Sequence, residues 1–341
     1  MTGTLPRSAQ LLSLLTAGLL LAAPVAAQED TIKRTEYGYP DLQGFFTYRT
    51  ITPLQRPTEL ADKATLTPAE AAEWEAYENQ RQNRDLIVDS VGGAGYPPGV
   101  ISYNEFWYER GNETIESRRT SLIYDPPNGR MPPLTAEGIA RGKDEAMMRK
   151  LSIGVEARPL AERCLMSFGG TVPMVPKSYN NNLQIVQTKD HIMILNEMIH
   201  LARIIPVAEE FSGQAKWEGD SIAHWDGDTL VIETRNFYYY ANYGGATADM
   251  KLVERISWVD ENTLDYDFTI EDPHTWSQPW SARMPLSRSP DPVYEYACHE
   301  GNHGLAGVMA GWRRYESMGM WGDGTPKDGE LDFSRDAIEE K

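Results

Sequence analysis

The chain reads as mostly β: an antiparallel up-and-down barrel wrapped by a loop-rich N-terminal region that carries one or two helices. Three observations predict this. From Leu183 onward, strand-length runs follow at short intervals: "LQIVQT", "HIMILNEMIH", "ARIIPV", "DSIAHWD", "DTLVIETRNF", "LVERISWVD", "TLDYDFTIED", "WSARMPLS" and "VYEYACHE". Turn signals separate these runs, and successive hairpins build a meander that tends to close on itself. Before Leu183, Gly and Pro punctuate the chain in "GGAGYPPG", "DPPNGRMPPLT" and "FGGTVPMVPKSYNNN", the composition of a surface layer. No repeat of fixed period is visible.

Residues 1–27 read as a secretory signal peptide. Arg7 precedes an apolar run from Leu11 to Ala23, and Val25 and Ala27 are small residues before a cut. The run is short for a spanning helix, although a retained N-terminal anchor is the alternative. Export to the periplasm or the outside is therefore the expected destination. The wrapping region then covers 28–180. In it, "YPDLQGFFTYRTITPLQRP" suggests one edge strand. A helix near 67–84 is announced by Thr67 as N-cap, Pro68 in the first turn and Glu70 completing a capping box. Its large apolar residues, Trp74 and Tyr77, suggest a narrow docking stripe. "RTSLIYD" reads as a short strand, and a second helix is expected near 135–148.

The barrel is expected over 181–315, followed by an acidic tail at 316–341. Trp225-Asp226-Gly227-Asp228 and Val259-Asp260-Glu261-Asn262 are tight reversals. Leu264, Tyr266, Phe268 and Ile270 fall on one face of a strand, and Asp265, Asp267 and Thr269 on the other, wet one.

The net charge of −18 argues against a nucleic-acid partner, since nothing would offset phosphate repulsion. No later stretch is long and apolar enough to cross a membrane as a helix. A small-molecule ligand or substrate is the expected partner, and the oligomeric state stays open. The two cysteines, Cys164 and Cys298, suggest a disulfide in an oxidising compartment. The rival reading makes Cys298, beside His299, a thiolate nucleophile.

His299-Glu300-Gly301-Asn302-His303 spells H-E-x-x-H, the zinc-protease signature. The motif works only when both histidines sit one turn apart on one helix. Here Tyr294 to Cys298 alternates like a strand, and Gly301 and Asn302 disfavour a helix interior. Asn302 suits the N-cap of a helix in "HGLAGVMAGWRRYE" better. No metal and no cofactor are expected. His299 at a strand end could instead serve as an acid–base group, with Tyr296 nearby, or simply bond to a loop.

A second cluster lies in "LNEMIHLAR". On a regular strand Asn196, Met198 and His200 share one face, so His200 would project into a cavity as a neutral base. Glu197 and Arg203 are possible assistants, or members of a satisfied core network. Glu254 shares its face with Leu252, Ile256 and Trp258, so it could be a general acid or half of a structural Glu–Arg pair. Aromatic residues complete the candidates: Tyr239 in "NFYYYANYGG", with Trp276 and Trp280 in "HTWSQPW", could rim a ligand site or pack a barrel end.

"YNNNLQIVQTKDHIMILNEMIHLARIIP", "WDGDTLVIETRNF", "LVERISWVDENTLDYDFTIEDPHTWSQPW" and "YEYACHEG" resemble a family of exported, largely uncharacterised bacterial proteins of acidobacterial and proteobacterial type. The resemblance implies export and a shared fold, and no reaction. Its pattern can carry Tyr at the place of His303, which an obligate metal ligand would not tolerate. The hairpin succession also resembles the calycin (lipocalin-like) barrels. Two functions follow as expectations. One is an exported enzyme using acid–base chemistry without a redox cofactor (lyase, isomerase, hydratase or hydrolase) on a partly apolar small molecule. The other is a non-catalytic, lipocalin-like carrier.

Overall fold

Alternation along the strands decides which side chains face inward, and the burial follows it closely. A computed structural model of the protein describes residues 32–86, 104–150, 154–167, 171–239 and 243–327. The expected signal peptide at 1–27, the "GGAGYPPG" segment, Tyr240 and most of the expected acidic tail lie outside the described residues. In chain order come β1 (Gly44–Thr47), α1 (Pro68–Gln82), β2 (Ile123–Asp125) and α2 (Ala136–Lys150). Then follow β3 (Asn182–Gln187), β4 (His191–Asn196), β5 (Leu201–Pro206), β6 (Asp220–Asp226), β7 (Thr229–Arg235), β8 (Lys251–Asp260), β9 (Thr263–Glu271) and β10 (Trp280–Arg288). Two helices, α3 (Cys298–Gly301) and α4 (Gly304–Ser317), end the described chain.

The strands pair in the order β5-β4-β3-β1-β10-β9-β8-β7-β6, an antiparallel meander that curls into a nearly closed barrel of nine strands. β1 is not the expected edge strand. It pairs with β3 on one side and β10 on the other, so it joins the two halves of the meander. Strand directions alternate around a ring of nine, and an odd number forces one neighbouring pair to run parallel. That pair is β5 and β6, which meet through a single parallel bridge, Val207 with Ala223, and the bond from Ala208 N to Ala223 O. This is the seam of the barrel.

The interior is filled. Phe46, Leu183, Ile185, Ile192, Ile194, Leu230, Ile232, Leu252, Ile256, Leu264, Tyr266, Ile270, Trp280 and Leu286 are buried with no more than 1% of their surface exposed. The turn at 226–229 places Gly227 at φ 62°, the left-handed conformation that a two-residue hairpin loop requires. Leu264, Tyr266, Phe268 and Ile270 face inward as expected. Their neighbour Asp267 is not wet: Tyr124 of the β2 segment and Arg283 both donate to its Oδ2. The wrapping region thus covers part of the barrel's outer face.

α1 begins at the predicted capping box, with Glu70 N donating to Thr67 Oγ1 and Thr67 N to Glu70 Oε2. It docks differently from the expected stripe. Tyr77 is exposed, and the buried side is Ala71 and Glu78, while Glu75 accepts from Thr114 N and Oγ1. α2 starts after Thr135, whose hydroxyl accepts from Gly138 N.

"VYEYACHE" is not a strand. The barrel strands end at Arg288, and Cys298 opens α3. Cys164 and Cys298 form a disulfide with Cα atoms 5.7 Å apart, which ties the segment at 154–167 to α3 and not to a barrel strand. α4 packs on that same segment. Asn302 Nδ2 donates to Glu162 O, and the Arg158 guanidinium lies 4.1 Å from the Trp312 ring centre. Asn302 also accepts from Leu305 N, the capping role expected of it, although α4 starts one residue later than a cap at Asn302 implies. Among the described residues no helix is long and apolar enough to cross a membrane.

Candidate functional site

The H-E-x-x-H spelling is broken by the backbone. α3 ends at Gly301 and α4 begins at Gly304, so His299 and His303 do not share one helix, and both are exposed. His200 does not project inward either. β4 ends at Asn196, and the chain reverses through a tight turn in which Ile199 and His200 take φ of 65° and 53°. Strand alternation stops there, and His200 is left on the surface, lining neither of the larger cavities. Trp276 and Trp280 are core residues packed edge to face, not a rim. Tyr239 is exposed and packs against Tyr238. Asn196 is buried, and its Nδ2 has no partner.

Arg203 and Glu254 do meet. They form an ion pair inside the barrel at 2.7 Å, with both side chains almost fully buried. Arg203 also donates to Ser221 and Thr234, and the Tyr266 hydroxyl donates to Glu254 Oε1 at 2.7 Å. Burial, and then the Glu254 charge, hold the Tyr266 phenol well above its ordinary range. Arg203 stands on β5 and Ser221 on β6, so this network bridges the seam from within. It sits in a filled interior, which makes it a structural tie.

The site with room for a ligand lies on the outward side of the barrel's end, where β1 leaves and β3 enters. It is a cleft of about 870 Å³. Its polar floor comes from paired strand ends. Thr47 and Asn182 are opposite each other in register, and both face away from the filled interior. Asn182 O accepts the backbone N–H of Glu197, which extends the β3–β4 ladder by one bond and puts the two side chains together. Asn182 Nδ2 lies 2.6 Å from Glu197 Oε2 and 3.3 Å from Glu109 Oε1. One amide thus bridges two carboxylates. Arg49 donates to Glu109 at 2.9 Å and steadies its own guanidinium on Thr47 Oγ1. Tyr48, buried beneath, has its phenol pushed up by burial and then by the charges of Glu197 and Glu109.

The walls are aromatic. Phe106, Trp107 and Tyr108 form one side, Tyr294 and Tyr296 another, with Tyr179 beside them. Phe106 is 81% exposed and Trp107 63%, high values for large apolar side chains, and the two pack edge to face. Tyr108 is held in place by Arg110 and Arg84, which lie over its ring.

Of the residues singled out in the sequence, only Glu197 and Tyr296 line this cleft. Glu109, Asn182, Arg49, Phe106 and Trp107 had not been singled out. A signal for three of them was present in "YNEFWYERG", where three adjacent aromatics and two acids stand together outside any amphipathic pattern; in the structure they occupy a short 3-10 turn, Glu105–Trp107, with no buried residue. A smaller cavity of about 410 Å³ surrounds the disulfide, between Ala161 and Asn302. Compared with models of protein families, with curated proteins and with solved structures, the chain matches none.

Proposed function

We propose that the cleft at the barrel end is the working site of an exported acid–base enzyme for a small, partly apolar molecule, with Glu197 and Glu109 in place of the two histidines. The observation that carries this reading is the Asn182 amide held between two carboxylates on the floor of an open, aromatic-walled cleft. Proton transfer needs a titratable group within hydrogen-bonding reach of the substrate and a second group to orient or return the proton. Glu197 faces the cleft without a cationic partner among the described residues, which suits it to exchange a proton. Glu109, ion-paired with Arg49, fixes the amide and presents charge beside it. Hydrolysis, elimination and isomerisation all use such a pair.

A carrier using the same cleft is the second reading, favoured by the exposure of Phe106 and Trp107. A ligand calyx inside the barrel has no support, since the interior is packed with side chains.

The test begins with mass spectrometry of whatever co-purifies, followed by turnover assays on that compound and on chromogenic ester and glycoside panels. Glu197→Gln keeps shape and hydrogen bonding. The expected result is a loss of kcat of roughly a hundredfold or more with Tm unchanged. A co-purified ligand recovered unaltered, and a panel without turnover, would assign the cleft to a carrier.

A further inference from the structure

We infer that the ligand of this cleft is an organic cation, an amine or quaternary ammonium attached to an apolar body. The inference rests on the cleft being the functional site and goes further by naming the chemistry of what enters it. Charge is the first argument. Three lining residues are acidic, Glu109, Glu197 and Asp291, and one, Arg49, is basic and already engaged with Glu109. Glu197 is 5% exposed, and its one side-chain hydrogen bond comes from the neutral amide of Asn182. A carboxylate this shielded, with a neutral donor on one side and the cleft on the other, gains most from a ligand that brings positive charge. An anion would meet a negative floor, inside a chain whose net charge is −18.

The walls give the second argument. Aromatic faces carry negative charge density and attract ammonium groups held over them, most strongly when the cation is desolvated. Trp107 is 63% exposed and lines the cleft two chain positions before Glu109, and no lysine is among the described lining residues. A cation seated over it would lie between an aromatic face and a carboxylate, the pairing that distinguishes ammonium sites from neutral ones. Neutral sugars also stack on aromatic rings, but they leave the charge of Glu197 uncompensated.

Isothermal titration calorimetry of the full chain separates these cases, with four probes: benzyltrimethylammonium, benzyl alcohol, benzoate and methyl β-glucopyranoside. The expected result is one equivalent of benzyltrimethylammonium bound at least about tenfold more tightly than the other three. Glu197→Gln should cut that affinity about tenfold with Tm unchanged, and Trp107→Ala, at an exposed position, should also weaken it. Equal binding of benzyl alcohol or the glucoside, or full affinity in Glu197→Gln, would overturn the cation inference. If that binding is still lost in Trp107→Ala, the cleft remains the site. Failure of every probe to bind at tens of millimolar would sink both readings.

Discussion

Lys177 illustrates how one residue can set a pH dependence. Burial lowers its amine to about 8, from an ordinary value of 10.5, while its Nζ bonds to Ser167 Oγ. Between those two values the unfolded chain holds a proton that the folded protein has released. Stability therefore rises as pH climbs from about 8 to about 10.5, by up to about 3 kcal/mol. Unfolding free energies of the wild type and Lys177→Met should diverge over this range, in favour of the wild type; a gap that stays constant with pH would refute the account. Glu254 offers a second test. Glu254→Gln leaves the buried Arg203 charge without its counter-ion and should cost about 3–5 kcal/mol in denaturant melts, whereas Tyr266→Phe, which loses a hydroxyl bonded to Glu254 and to Met174 N, should cost about 1–3. At this scale the sequence was informative about types and silent about partners. Arg203 and Glu254 stood out as polar residues in apolar runs. That they meet across β6 and β7 depends on barrel curvature, which no local pattern encodes.

Elements were legible where their causes are local. The start of α1 depends on three residues within four positions, so Thr67 and Glu70 announced it; Thr67→Ala should cost about 1 kcal/mol by thermal unfolding. The two errors of consequence arose where alternation continued in the sequence after the backbone had turned. "LNEMIHLAR" keeps a strand-like pattern, but Ile199 and His200 adopt positive φ, and the hydrophobic period carries no trace of that. "VYEYACHE" alternates as well, yet the chain has already left the sheet at Arg288, and the bridged Cys298 within this run opens α3. The bridge itself was expected from two cysteines in a chain read as exported to an oxidising compartment, and it forms. It closes a loop spanning 134 positions, so replacing both Cys164 and Cys298 by Ala should lower stability by about 4–5 kcal/mol in the chain-entropy account. A loss below about 1 kcal/mol would mean that α3 and α4 are held on the 154–167 segment chiefly by Asn302, Arg158 and Trp312.

For the whole molecule, hairpin succession was enough to indicate an antiparallel barrel, because each turn signal is read on its own. Its closure was not legible: β1 lies more than a hundred residues before β3 and looked like an edge. The cleft was hidden for the same reason, since it joins residues near 49, 109, 182, 197 and 294 that only the closed ring brings together. The seam gives a prediction at this scale. With one bridge between β5 and β6, amides of these strands that face the gap should exchange with deuterium well before those of β8 and β9, and Glu254→Gln should widen the difference.

β1 has a consequence for the order of assembly. It is the first barrel strand to leave the ribosome, yet its two neighbours, β3 and β10, begin at Asn182 and Trp280. The hairpins from β6 to β10 can form one after another as they are synthesised, each from neighbours in sequence. β1 can satisfy one edge once β3 is made, but its other edge must wait for β10, the last barrel strand. Ring closure is thus the entropically expensive, late step of folding. A chain stopped before Trp280 would hold two halves, β5-β4-β3-β1 and β9-β8-β7-β6, with only the single bridge at the β5–β6 seam between them, so the floor of the cleft, where β1 meets β3, can form before the ring is shut by β10.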